Sequence, residues 1–391
     1  MFESLVEQPA DALLALIGLY KNDPRADKLD LGVGVYRDET GATPIMQAVK
    51  AAEKHLLETR TTKAYLGPDG DPVYTELLKP IVFGSNPGPR LVGIQSPGGT
   101  GALRLAADLI VASKPDAKLL YGQPTWVNHL QIAQATRLAS VPHPFFDINT
   151  QSINFGNLIA AIEGARAGDV VLLHGCCHNP TGTDLNDGQW AEIATLLART
   201  GVIPLIDLAY QGLGRGFEAD AAGTRKVVGA VEEAIVAYSV DKNFGLYRER
   251  VGALYVKTRD EKTAGKVLSN LTSLTRVNWS MPPDHGAAIV RTILESPELT
   301  AVWRAEIDRM GDRVRAVRAG LAAAEPALAY MAEQHGMFSM LKLTADQIGR
   351  LRADHGVYMA GSGRINVAGL QVADIPAFVR KLRAVGFGNA A

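Results

Sequence analysis

The stretch Val202-Ile203-Pro204-Leu205-Ile206-Asp207 is apolar, about as long as a strand, and closed by a carboxylate. Runs of this kind, bounded by polar segments, read as buried strands. Just upstream, Gln189–Arg199 carries a helical pattern, and downstream Ala234–Tyr238 is a second apolar run. Further out, Leu91–Gln95, Lys118–Tyr121, Val170–Leu173 and Val251–Val256 repeat the strand signal, with another helical pattern at Gly101–Ala112. Strands alternating with helices imply an α/β fold with a mostly parallel central sheet covered by helices. Functional sites in such sheets lie at the carboxyl ends of the strands.

Beyond this region the pattern changes. Leu299–Ala324 reads as one or two long helices rich in Arg and Ala, and Gly336–Leu343 and Arg364–Val367 read as strands. This predicts a smaller α+β domain. Residues 11–43 are too few for a domain, so they are expected to pack against the smaller one. The expected division is an arm at 1–11, a discontinuous small domain at 12–44 and 309–391, and a large domain at 45–308. Two domains suit a chain of 391 residues, which exceeds what one core usually serves.

Composition narrows the function classes. The chain is 47% hydrophobic and 21% charged, with 40 basic and 41 acidic residues and a net charge of -1. This balance favours neither nucleic acid nor an anionic membrane as partner. Met1–Ala10 holds Glu3 and Glu7 but no basic residue, unlike a secretory signal. No apolar run approaches the roughly 20 residues that span a bilayer. Cys176 and Cys177 are the only cysteines and are adjacent, so no disulfide framework is expected and a reducing cytoplasm is the simplest setting.

The strand ends carry polar residues that a core does not need. Leu91–Gln95 is followed by Ser96-Pro97-Gly98-Gly99-Thr100-Gly101, opening a helix. Glycines allow close backbone approach, and free amides at a helix start bind phosphate. It is neither a dinucleotide fingerprint, whose third glycine falls on Arg104, nor a Walker loop, which needs Gly-Lys-Ser/Thr. Val170–Leu173 is followed by His174-Gly175-Cys176-Cys177-His178-Asn179-Pro180-Thr181-Gly182. Zinc is disfavoured there, because Cys-x-x-Cys spacing is missing and neighbouring side chains on extended backbone diverge. Asp207, read alone, is better explained by a cap or loop hydrogen bond. Ala234–Tyr238 continues into Ser239-Val240-Asp241-Lys242, with Arg250 beyond. Most lysines are solvated surface charges. A desolvated one has a lowered pKa and attacks carbonyls, and Ser239 and Arg250 could add phosphate contacts.

Read together, five strings resemble the class I aminotransferases that depend on pyridoxal 5′-phosphate (PLP). They are Gly-Gly-Thr-Gly-Ala-Leu-Arg (98–104), His-Gly-Cys-Cys-His-Asn-Pro-Thr-Gly (174–182), Asp-Leu-Ala-Tyr-Gln-Gly (207–212), Lys-Asn-Phe-Gly-Leu-Tyr-Arg-Glu-Arg-Val-Gly (242–252) and Ser-Gly-Arg-Ile-Asn-Val-Ala-Gly (362–369). Leu-Gly-Val-Gly-Val-Tyr (31–36) and Thr-Thr-Lys-Ala-Tyr-Leu-Gly (61–67) add to them. The likeness is to the bacterial aspartate and aromatic amino acid branch. It implies the type I PLP-dependent transferase fold, a homodimer with shared sites, and ping-pong transfer of amino groups from tyrosine, phenylalanine and aspartate to 2-oxoglutarate.

The same resemblance implies roles. Lys242 is the covalent anchor and proton carrier, Asp207 pairs with the ring nitrogen, and Asn179 and Tyr210 bond the ring oxygen. Trp126 stacks on the ring, with His129 behind Asp207. Gly99, Thr100, Ser239 and Arg250 take the phosphate, joined by Tyr65 from the other subunit. Arg364 holds the substrate α-carboxylate, Arg276 from the other subunit meets a side-chain carboxylate, and Gly34 and Phe338 wall the pocket. Relatives mostly have Ser in place of Asp241 and often Asn in place of Met281. Asp241 is expected to turn toward Arg250, and Gln123-Pro124 and Asn179-Pro180 are expected to be cis. No metal is expected.

Three rival readings remain. One is a strict aspartate aminotransferase. Another is a β-eliminating lyase or decarboxylase on the same fold, which Arg276 together with Arg364 disfavours. The last is a non-catalytic PLP module of a regulator, for whose added DNA-binding domain the opening residues leave no room.

Overall fold

Seven strands form the central sheet of the computed structural model, which describes residues 1–7, 12–85 and 87–388. They are β1 (Leu91–Pro97), β2 (Lys118–Gln123), β3 (Ala139–Pro144), β4 (Val170–His174), β5 (Ile203–Leu208), β6 (Ala234–Ser239) and β7 (Val251–Lys257). Their spatial order is β1-β7-β6-β5-β4-β2-β3. Only β7 runs antiparallel to its neighbours. Six of the seven were legible as apolar runs. The exception, β3, reads Ala-Ser-Val-Pro-His-Pro and pairs only with β2. Proline has no N–H to donate, so two of them fit an edge strand and mask the strand signal.

The register sets up the site. His174 at the end of β4 lies opposite Asp207 in β5, and Ser239 at the end of β6 lies opposite Gly252 in β7. β1 runs directly into the helix Gly98–Ser113, whose start has no side-chain cap. By contrast, the helix Asp187–Thr200 is closed at its start by a capping box between Asn186 and Gln189 and at its end by left-handed Gly201. An uncapped helix start at a strand end leaves amides available to a ligand.

Pro297–Ala324 is one continuous helix, so the expected division at 308/309 falls inside it. Its Trp303 is fully buried and stacks on Phe244, with centroids 4.2 Å apart. Trp303 Nε1 donates to Asn243 O at 2.8 Å, pinning the segment just after Lys242. Leu29–Asp30 pairs in parallel with Val357–Tyr358, so the chain's early part does meet its late part. Phe338–Met340 pairs with Arg364–Asn366. The strand expected over 336–343 is thus shorter, because Leu343 N turns back onto Leu341 O. The end of the expected arm, 8–11, and residues 389–391 lie outside the described residues. Among the described residues, no helix is long and apolar enough to cross a membrane.

Candidate active site

A cavity of about 190 Å³ opens at the carboxyl ends of β4, β5 and β6. Fourteen sequence-predicted positions can be placed against it. Gly34, Gly99, Thr100, Trp126, Asn179, Asp207, Tyr210, Ser239, Lys242, Arg250, Phe338 and Arg364 all line it. Tyr65 and Arg276 do not line the cavity of their own chain. Tyr65 is 91% exposed. Met281 Sδ accepts from Leu66 N at 3.3 Å, and Arg276 donates to Ser280 Oγ, so these two loops share one patch of surface.

Lys242 is half-buried, with Nζ 5.2 Å from the centre of the Tyr210 ring. Burial lowers its pKa below the ordinary 10.5, against the opposing pull of Asp241 and Asp207, and Arg250 adds to the lowering. Burial alone would raise the Asp207 carboxyl. The hydrogen bond from His129 and the electrostatic pull of His129 and Lys242 outweigh it, and the net direction is downward. His129 Nε2 lies 3.0 Å from Asp207 Oδ2, while His129 Nδ1 lies 2.8 Å from Thr125 Oγ1. Thr125 Oγ1 also meets His174 Nε2 at 3.1 Å. Burial, and then His129, push His174 down to about 3, so it is neutral at ordinary pH. Asp207 is therefore a fixed anion at the cavity floor, oriented from behind by a relay of which sequence reasoning found only His129. The signal for His174 was the polar run closing β4, read there as a loop, while Thr125, just after β2, gave none.

Close packing fits the far end to a phosphate. Gly98 has φ +72°, and a Cβ there would lie 2.5 Å from Arg250 Nη2 and 2.9 Å from Asp241 Oδ2. A Cβ on Gly99 would come within 3.0 Å of Ser239 Cβ. Only glycine leaves room for a group between the helix start, Ser239 and Arg250. Asp241 does turn toward Arg250, accepting from Nη1 at 2.5 Å and from Val251 N at 3.0 Å. β6 ends at Ser239, so strand alternation no longer governs residue 241. Arg250 Nη1 also donates to Tyr247 O at 3.2 Å, which leaves Nη2 toward the glycines.

Between these ends lie surfaces for a flat ring. Trp126 and Ala209 both line the cavity, and Asn179 Nδ2 is 3.4 Å from Tyr210 Oη. Beyond them is Arg364, 8% exposed, with its guanidinium 4.7 Å from the Phe338 ring centre. It donates to Gly32 O at 2.9 Å and to Asn179 Oδ1 at 3.5 Å, and its buried Nε has no partner. An unpartnered guanidinium N–H beside a cavity calls for an anion. Both Gln123-Pro124 and Asn179-Pro180 are cis.

The adjacent cysteines depart from the sequence argument. Cys177 has φ +52°, so the backbone there is not extended, and both sulfurs lie within 4.8 Å of an Asp220 oxygen. The donor chemistry still opposes a metal. Burial pushes the Cys177 thiol up to about 12 and the Cys176 thiol well upward. Asp220 already accepts from the amides of Gly212, Gly214 and Arg215.

A family model described as aminotransferase class I and II matches residues 26–382. The tyrosine aminotransferase of Rhizobium meliloti is 53% identical over 379 residues, covering 96% of this chain and 97% of that protein. The aspartate aminotransferase of Salmonella typhi is 44% identical over 382 residues, covering 95% and 96%. Among solved structures, an aromatic amino acid aminotransferase with 3-indolebutyric acid superposes with TM-score 0.95 at 44% identity, covering 99% of this chain and 100% of that one. The aromatic-amino-acid aminotransferase of Burkholderia pseudomallei, covalently bound to pyridoxal phosphate, gives TM-score 0.94 at 38% identity, covering 98% and 99%.

Proposed function

This chain belongs to the class I and II aminotransferases, and on that premise we propose that it moves amino groups from tyrosine, phenylalanine and aspartate to 2-oxoglutarate, using PLP and a ping-pong cycle. The observation that carries this reading is one cavity holding a half-buried lysine with a lowered pKa, a fixed carboxylate and an arginine with an unpartnered N–H. When bound, PLP supplies a carbonyl that takes up the amino group and a ring that withdraws electrons.

The chain's own residues do the rest. Gly99, Thr100, Ser239 and Arg250 hold the phosphate by helix-start amides, hydroxyls and a guanidinium. Trp126 and Ala209 would hold the ring from its faces, and Asn179 and Tyr210 would bond its oxygen. Asp207 holds a proton on the ring nitrogen, since a buried anion strongly favours a cation beside it. Lys242 would anchor the cofactor and then move the proton at the substrate Cα, a task that its lowered pKa favours. Arg364 holds the α-carboxylate against Phe338 and Gly34, which orients Cα for that proton transfer.

Tyrosine and aspartate are both in the reading because relatives named for each are more than 40% identical. An aromatic ring and a short carboxylate need different partners, and Arg276 is the candidate for the second. It sits outside its own cavity, next in the chain to exposed Val277, and its loop touches exposed Leu66 through Met281. An apolar patch of that kind marks a surface that another protein covers. We read it as the face of a homodimer in which Arg276 and Tyr65 reach the partner's site. We keep the expected arm, small and large parts at 1–11, 12–44 with 309–391, and 45–308 as the proposed division, with the helix Pro297–Ala324 spanning its 308/309 boundary. Buried free thiols at Cys176 and Cys177 suit a cytoplasmic setting. The test is steady-state kinetics with aspartate, phenylalanine and tyrosine against 2-oxoglutarate. Parallel-line kinetics with all three donors are expected, and turnover of aspartate alone would leave a strict aspartate aminotransferase.

A further inference from the structure

Residues 30–37 cross beside the cavity and carry Gly34 to its wall. Two ends of this strap are clasped together. Asp30 Oδ2 pairs with Arg37 Nη2, with side chains 9% and 19% exposed. Asp30 Oδ1 accepts from the Gly32 amide at 3.1 Å. Gly32 O, on the other face of that residue, accepts from Arg364 Nη2 at 2.9 Å. A continuous polar chain thus runs from Arg37 through Asp30 and Gly32 to the guanidinium. The strap is tied from its far side too, where Asn366 Nδ2 donates to Val33 O and Val35 O at 2.6 and 2.8 Å.

A guanidinium on a flexible stem recognises a carboxylate well only if its plane is set in advance. Gly32 O sets that plane, and the place of Gly32 O depends on Asp30. We propose that Asp30 and Arg37 are positioning residues for carboxylate recognition: their ion pair fixes the Gly32 carbonyl that orients Arg364, and so governs affinity for every amino acid and 2-oxo acid. This rests on the reading of Arg364 as the α-carboxylate ligand. The pair touches neither the cofactor groove nor Lys242, so its effect belongs to binding rather than to the chemical step.

The test uses holoenzyme and 3-indolebutyric acid, a carboxylate with no amino group, titrated by calorimetry. Asp30→Ala and Arg37→Gln are each expected to weaken it about tenfold, the worth of one well-placed hydrogen bond. KM should rise alike for aspartate, phenylalanine and 2-oxoglutarate, with kcat and the visible cofactor spectrum near the parent. Arg37→Lys, which keeps the charge, should recover most of the affinity. Arg364→Ala should lose roughly a hundredfold, and unchanged affinity there would sink the Arg364 reading itself. Loss in Arg364→Ala with parental affinity in Arg37→Gln and Asp30→Ala would overturn the positioning role, as would a fall in kcat without a change in affinity. If Asp30→Ala does not fold, Arg37→Gln, on the more exposed partner, carries the test alone.

Discussion

Lys242 and Asp241 are neighbours with opposite problems. Lys242 must shed a proton in a buried place, and burial assists it. The free amine fraction therefore grows at lower pH than for an ordinary lysine. Capture of PLP by the apo-enzyme is expected to speed up with pH and level off below 10.5, read by the rise of visible absorbance. Levelling at or above that value would contradict a lowered pKa. Borohydride should then fix the cofactor to the peptide containing Lys242, and Lys242→Ala should lose most of kcat. Asp241 brings a negative charge to the phosphate end but spends it on Arg250 and the Val251 amide. Removing it frees the guanidinium from a clamp and also removes repulsion, and these effects oppose. Asp241→Ser is expected to change the apo-enzyme Kd for PLP by less than tenfold, about 1.4 kcal/mol. Tighter binding beyond that would mean repulsion dominates.

At the scale of elements, the turn from β1 into the helix Gly98–Ser113 does the most for the site. It presents uncapped amides, and its first residue has positive φ. Gly98→Ala adds a Cβ where Arg250 and Asp241 already stand and strains a left-handed backbone. We expect the apo-enzyme to bind PLP at least roughly tenfold more weakly, ~1.4 kcal/mol, with Lys242 still able to take up cofactor at saturation. Parental affinity, measured by fluorescence titration, would show that the turn can relax. The segment after Lys242 is held in another way, by the stack of Trp303 on Phe244 and the bond to Asn243 O. A helix far along the chain thereby fixes the loop that aims the lysine.

For the whole molecule, the decisive question is whether one chain holds a complete site. Arg276 and Tyr65 lie away from the cavity that the other predicted residues share. If they serve a second copy, Arg276→Leu should depress turnover of aspartate and 2-oxoglutarate far more than half-reactions of phenylalanine or tyrosine. Lys242→Ala and Arg276→Leu homodimers, unfolded and refolded together, should form heterodimers with one intact site, and dicarboxylate activity should reappear. Continued inactivity of proven heterodimers would place the action of Arg276 within its own chain.

Sequence alone determined the alternating strands, the glycine turn, and the polar residue closing each strand. These are local: apolar periodicity, strand length and the φ freedom of glycine are written in neighbouring residues. It also put Asp207, Ser239 and Lys242 at strand ends, where a parallel sheet brings residues together, while their roles came from the family resemblance. It missed β3, whose prolines hide an edge strand, and it could not place what hangs on register. The bond from Thr125 to His174 joins residues 49 apart, and that from Arg364 to Gly32 joins residues 332 apart. Whether Asp241 would face the phosphate or the guanidinium depended on where β6 stops. That Asp30 and Arg37 would close on each other and reach the substrate arginine depended on the early strap lying against Arg364–Asn366. Only the packed chain decides such contacts, because burial makes each polar group find its partner wherever in the sequence that partner lies.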